Sequence, residues 1–322
     1  MAGGRLGLLA AFAIAIGSSS ASAQVTRDAP AATWPAPTYY RFADVGGNRI
    51  FYREAGERGK PVLLLLHGYP ASSHIYRHLI PLLSGRFHVI APDHLGSGYS
   101  GKPDPSQTRY SFDLLADHVI GLLDVLSIGE YTIYMQDFGA PVGFRVMLKR
   151  PERVRGLISQ NGNAYLEGIA PEKLLFFRSA GTDRSDAKLM SLFEFTGASA
   201  VRDQQYLRDV RGREEIMSPD SWTMDSHHLE RDADRQIQVQ LFQDYRSNLS
   251  SYPLWQAFLR ERRPPTLLVW GARDPVFTPA GARAYLRDVP DARLILLDAG
   301  HFAVEEKPVE IAQAITDFML NR

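Results

Sequence analysis

Three dispersed residues have the types and the order to share one hydrolytic reaction: Asp137, Asp274 and His301. Asp137 stands in YTIYMQDFGAPVG (Tyr131–Gly143), where a strand-like run ends and a helical pattern begins. A sharp strand-to-helix turn of this kind exposes one side chain at a sheet edge, where it serves as a nucleophile. Serine between two glycines is the usual centre. Here the centre is Asp137, the upstream small position is Met135, and Gly139 supplies the downstream one. A lone aspartate after a strand is equally an N-cap for the following helix, so the companions decide. The chain order for such a site is nucleophile, acid, histidine. Only His227, His228 and His301 follow Asp137. The first two lie in a charged, helical stretch, whereas His301, in LLDAGHF, directly follows a strand-like run. WGARDP follows another such run and offers Asp274, whose plain alternative is a turn-forming Asp-Pro. Val154–Ser159 is followed by QNGN, which has no carboxylate, and Asp298 suits a cap for the loop of His301.

A fourth element is His67-Gly68-Tyr69-Pro70, directly after the apolar run Val62–Leu66. Glycine lets the backbone turn so that N–H groups point inward. The N–H groups of Tyr69 and Phe138 would then form an oxyanion hole, with His67 in a structural role. Asp93-His94 could suggest a metal pair, but its setting in PDHLGSGYS is a tight turn, and the structural reading is preferred. No metal and no organic cofactor is expected.

The elements that position these residues alternate. Arg49–Arg53, Val62–Leu66, Phe87–Ala91, Tyr131–Met135, Val154–Ser159, Thr266–Trp270 and Arg293–Leu297 read as strands. The continuous apolar runs among them suit strands covered on both faces. A helix beginning at Ser111 carries Leu115, Val119, Leu122 and Leu126 at helical spacing, and Ala140–Lys149 and Ile311–Leu320 are further helices. Alternation of this kind predicts an α/β fold with a mostly parallel sheet flanked by helices. From 165 to 253 the strand pattern stops and charges become dense, which predicts an inserted helical cap between core segments 38–164 and 254–322.

The motifs HGYP, PDHLGSGYS, QDFG, WGARDP and GHF together make the chain resemble the α/β-hydrolase superfamily over almost its whole length. An aspartate nucleophile narrows the resemblance to the branch of epoxide hydrolases, haloalkane dehalogenases and fluoroacetate dehalogenases. That likeness implies attack on a saturated carbon and an alkyl ester on Asp137. The physics agrees: a carboxylate is already ionised at neutral pH, so His301 is free to activate water in the second step.

Dehalogenases of this branch usually carry tryptophan after the nucleophile and often asparagine within the first motif. Phe138 and Tyr69 depart from both patterns, and an aromatic in HGxP resembles the epoxide hydrolases. Epoxide opening needs an acid, which that family takes from cap tyrosines. Tyr245 in QDYRSN and Tyr206 in DQQYLRD are the candidates, with Tyr165, Tyr252, His227 and His228 as substitutes and Trp222 as a pocket wall. Epoxide hydrolysis to a diol is the expected activity. A haloalkane or haloacid dehalogenase is the first alternative and a non-catalytic binding member of the fold the second. Ester and lactone hydrolysis is disfavoured, because acyl transfer to a carboxylate forms an anhydride.

Bulk composition sets the remaining bounds. Thirty-six basic and 36 acidic residues leave no net charge, which excludes a nucleic-acid partner of the usual basic kind and fits a small, largely apolar, neutral substrate. The absence of cysteine removes disulfides, thiolate metal sites and a cysteine nucleophile. Residues 1–23 read as a cleavable signal peptide: Arg5, the apolar run Leu6–Ile16, then Ala21-Ser22-Ala23 before a start at Gln24. Residues 24–37 read as a linker. A periplasmic or secreted protein with no membrane anchor is expected.

Overall fold

Val62–Leu66 is apolar at every position because helices cover both faces of the sheet it joins. The computed structural model describes Met1, Gly3 and residues 36–320. Apart from those first two positions, the expected signal peptide lies outside the described residues, as does the expected linker up to residue 35.

The strands are β1 (Tyr39–Val45), β2 (Asn48–Ala55), β3 (Val62–Leu66), β4 (His88–Pro92), β5 (Tyr131–Gln136), β6 (Val154–Gln160), β7 (Thr266–Gly271) and β8 (Arg293–Leu297). They form one sheet in the order β1-β2-β4-β3-β5-β6-β7-β8. The β1–β2 and β2–β4 pairs are antiparallel and every later pair is parallel. This is the expected α/β-hydrolase fold. The order reverses around β3, so the loops leaving the carboxyl ends of β3 and β5 diverge and open a crevice. The register sets Leu66 beside Met135 and Gln136 beside Gln160, which brings the ends of β3, β5 and β6 level.

β1 has no counterpart among the predicted strands. Tyr39–Phe42 are exposed and show no alternation, because β1 is an edge with one neighbour. Its partner β2 carries the buried residues of that hairpin.

The helices are α1 (Leu79–Leu83), α2 (Phe112–Val125), α3 (Gly139–Lys149), α4 (Pro171–Thr182), α5 (Asp186–Phe195), α6 (Ala198–Ala200), α7 (Pro219–His227), α8 (Asp232–Arg262), α9 (Pro279–Tyr285), α10 (Ala303–Glu306) and α11 (Pro308–Leu320). Ser111 caps α2 by accepting from Leu114 N, as an N-cap serine does. α4 to α8 fill the interval between β6 and β7, with no strand among the described residues there. α8 runs past the expected cap boundary at 253. Pro253 removes one donor inside it, and the buried Tyr252, Trp255, Phe258 and Leu259 hold the helix together across that point.

Candidate active site

β5 ends at Gln136, and Asp137 takes φ +49° before α3 begins at Gly139. That left-handed conformation is costly for a residue with a Cβ, and such strain concentrates at functional turns. Its effect is to lift the carboxylate off the sheet edge. Two tight approaches hold the turn. A Cβ on Gly139 would lie 2.2 Å from Leu66 O, and one on Gly68 would lie 2.3 Å from Asp137 Cβ. Only glycine allows the β3 loop to press against the Asp137 turn.

Tyr69 N donates to Asp137 Oδ1 at 2.7 Å, and Phe138 N also donates to this carboxylate. The two amides expected to form an oxyanion hole thus converge on one side chain. His301, in the loop after β8, places Nε2 3.6 Å from Asp137 Oδ2. Its Nδ1 donates to Asp274 Oδ2 at 2.7 Å. Asp274 follows β7 and is saturated: Oδ2 also accepts from Asn161 Nδ2 at 2.8 Å, and Oδ1 from Val276 N and Phe277 N. The structure therefore brings Asp137, His301, Asp274, Tyr69 and Phe138 to one place, at the carboxyl ends of β3, β5, β7 and β8.

Burial and charge compete here. Burial raises the Asp137 carboxyl above the ordinary carboxylate range, against the pull of His301 and the two amides. Burial would also raise Asp274, but His301 and its hydrogen bond outweigh this and hold Asp274 low. His301 is the mirror case: burial pulls it down, Asp274 pulls it up more strongly, and the net shift is upward. A low acid beside a raised histidine is an ion-pair geometry that fixes the Nδ1–H tautomer and leaves Nε2 facing Asp137.

Beyond the sheet lies a cavity of about 50 Å³. Its wall is aromatic around Tyr69, Phe138, Phe176, Phe177, Phe195 and Phe242, with Val276 beside them. Asp137 and His301 form its floor, and the cap contributes Lys173, Gln205 and Arg208. A void that size holds a molecule of a few heavy atoms, since one water needs roughly 10–15 Å³ on such a measure.

The cap tyrosines expected as proton donors do not line this cavity. Tyr206 is stacked on Phe302 at 4.2 Å and its hydroxyl donates to Asp225 Oδ2 at 2.5 Å. Tyr245 is stacked on Phe177 at 3.9 Å and its hydroxyl bonds that of Tyr252. The physical reason is local: each buried phenol finds an acceptor within the packed cap. Tyr165 donates to Asp288, His227 pairs with Glu230, His228 packs edge-on against Tyr99, and Trp222 lies beside Tyr206. Asp93 accepts from Ser73 N and Tyr99 N, holding its turn. His67 Nε2 accepts from His94 N at 3.0 Å, in the structural role expected of it.

Several neighbours were not foreseen. Asn161, at φ +48° after β6, bonds both Asp274 and Gly271 N. Gln136 Nε2 lies 3.1 Å from His301 Nε2. Asp209, from the cap, accepts from His301 N at 2.8 Å and pairs with Arg208. Amides at or directly after strand ends were the available signal for Gln136 and Asn161. Nothing local marks Asp209, Arg208 or Lys173.

Comparison with known proteins places the fold. A sequence model of the α/β-hydrolase fold matches residues 61–308. The chain belongs to the α/β-hydrolase family. It is 42% identical over 274 residues to uncharacterized hydrolase YNR064C of Saccharomyces cerevisiae, spanning 84% of this chain and 92% of that one. It is 30% identical over 294 residues to haloalkane dehalogenase 2 of Mycobacterium tuberculosis, spanning 88% and 97%. Among solved structures, haloalkane dehalogenase DbeA of Bradyrhizobium elkani superposes with a TM-score of 0.76 at 24% identity, covering 88% of this chain and 98% of that one. Epoxide hydrolase CorEH gives 0.72 at 22% identity, with 88% and 99% covered. These two likenesses are of fold. This α/β-hydrolase falls in the branch with aspartate at the nucleophile position, and it is a hydrolase.

Proposed function

We propose that this hydrolase opens small epoxides to diols through an alkyl ester on Asp137. The observation that carries the reading is the seating of Asp137: its carboxylate is held by two backbone N–H groups, Tyr69 N on Oδ1, while Oδ2 faces His301 Nε2 at 3.6 Å. The chemistry follows in two halves. A carboxylate oxygen of Asp137 attacks a ring carbon, the C–O bond breaks, and the oxygen receives a proton. Water then gives a proton to His301 Nε2 and attacks the ester carbonyl, while the N–H groups of Tyr69 and Phe138 carry the oxyanion. On collapse the departing alkoxide takes the proton from His301, the diol leaves, and ionisation of the resulting acid restores the Asp137 carboxylate. Asp274 holds His301 in the tautomer that this second half requires.

Two features favour an epoxide. Phe138 has no donor to hold a departing halide beside the nucleophile. The leaving oxygen of an epoxide stays tethered to its carbon skeleton, so a cavity of about 50 Å³ need not release an ion. The aromatic wall suits an apolar, neutral body. A second reading, carbon–halogen hydrolysis, is favoured by Lys173 and Arg208 on the cap wall, because cations stabilise a halide. Diol and halide release from matched panels of small epoxides and haloalkanes separates the two. Diol formation from the epoxides alone supports the proposal; halide release alone replaces it with the second reading. Absence of both products would leave a binding member of the fold.

A further inference from the structure

Epoxide opening requires a proton donor at the leaving oxygen, and the tyrosines expected to supply it are committed elsewhere. The Tyr69 hydroxyl donates to Phe195 O at 3.0 Å. Arg208 spends Nε and Nη2 on Asp209 and Nη1 on Gln204 O, and a guanidinium does not release its proton at accessible pH. Gln205 offers only amide protons. His301 Nε2 faces Asp137 and Gln136. Lys173 alone has a transferable proton and, among the described residues, no hydrogen bond or ion pair.

Its placement is also adverse. Lys173 is the third residue of α4, where the positive end of the helix dipole repels a cation. It is half-buried and close enough to Arg208 to feel a second positive charge. The charges of Glu172 and Asp209 offset this only in part, and no acceptor among the described residues takes the Nζ protons, as an incoming electronegative atom would.

We infer that Lys173 is the acid of the first half-reaction, donating from Nζ to the epoxide oxygen as Asp137 attacks the ring carbon. The inference rests on the epoxide reading above. The ring C–O pair moves to oxygen, the oxygen takes the proton, and Lys173 is left as a neutral amine. Hydrolysis of the Asp137 ester yields one carboxyl proton, which restores the ammonium. Partial burial and the Arg208 charge both lower the Lys173 pKa and so make it a stronger acid than free lysine.

The test uses 1,2-epoxybutane and the His301→Gln protein, in which alkylation is isolated from hydrolysis. The rate of mass gain is compared with that of His301→Gln carrying Lys173→Gln, Lys173→Met or Lys173→Arg. The inference predicts a loss of about 10²- to 10⁴-fold in alkylation for all three, the range for general acid catalysis. Arginine keeps the charge but not the transferable proton, so its failure to rescue separates acid from electrostatic anchor. The alkylation rate of His301→Gln should also fall at alkaline pH, with a limb that Lys173→Gln abolishes. Alkylation of the Gln and Met variants within a few-fold of the parent, with thermal midpoints unchanged, overturns the role of Lys173 while the epoxide reading stands. No alkylation of the parent by any epoxide overturns both.

Discussion

Replacing Asp274 by asparagine exchanges one oxygen for an amino group in a site with four donors and no free acceptor. Oδ2 accepts from His301 Nδ1 at 2.7 Å and from Asn161 Nδ2 at 2.8 Å; Oδ1 accepts from Val276 N at 2.8 Å and Phe277 N at 3.2 Å. If the new amide oxygen keeps the two backbone donors, its NH₂ faces Asn161 and His301. His301 must then accept at Nδ1 and carry its proton on Nε2, where it cannot take one from water. The wrong tautomer in a triad costs about 10⁴ in turnover, or about 5 kcal/mol. The first half-reaction is spared, since Asp137 attacks as a carboxylate and needs no base. Asp274→Asn should therefore lose steady-state turnover by about that factor while still gaining one substrate mass per chain in rapid-quench intact-mass measurements. A steady-state loss below about tenfold would refute the assigned role of Asp274. So would loss of the mass gain in a folded variant.

Three further outcomes follow from the same geometry. Gly68→Ala places a methyl carbon 2.3 Å from Asp137 Cβ and 2.4 Å from Oδ1, so adduct formation should fall by roughly 100-fold or more; retained alkylation would mean that the β3 loop does not fix the nucleophile. Water activation needs neutral His301, whose pKa is raised, so kcat should rise with pH along an acid limb centred above the usual 6.5; a limb at or below that value contradicts the Asp274–His301 pairing. Buried His67 is held down to about 4 and has its lone pair on a backbone N–H, so the unfolded chain takes up its proton first. Unfolding free energy should then drop as pH falls from 6.5 towards 4, by up to about 1.4 kcal/mol per unit for this histidine. Urea midpoints that are flat across that range, or a slope that His67→Asn leaves intact, would count against it.

The strands β3, β5 and β7 were readable because burial on both faces leaves a continuous apolar run. The residues now grouped around Asp137 were readable because each lies in a loop that leaves a strand, where a parallel sheet must present its loops on one edge. β1 escaped because an exposed edge strand needs no apolar alternation. The cap is different. Tyr206 and Tyr245 sit in stretches suited to a pocket, but which way a helix turns its phenols depends on partners such as Asp225 and Phe177, distant or in other elements. Lys173, Gln205 and Arg208 reach the cavity by the same tertiary packing, on α4, a π-helical turn and a 3₁₀ turn. Asp209 anchors His301 across 92 positions of chain, a contact with no local signature.

The central claim is a covalent ester on Asp137, and one measurement meets it directly. His301→Gln is exposed to a small epoxide, quenched, weighed intact and digested. The mechanism predicts a gain of one substrate mass, located on the peptide that contains Asp137 and absent from the Asp137→Ala control. An unmodified chain, or an adduct carried on any other residue, contradicts it.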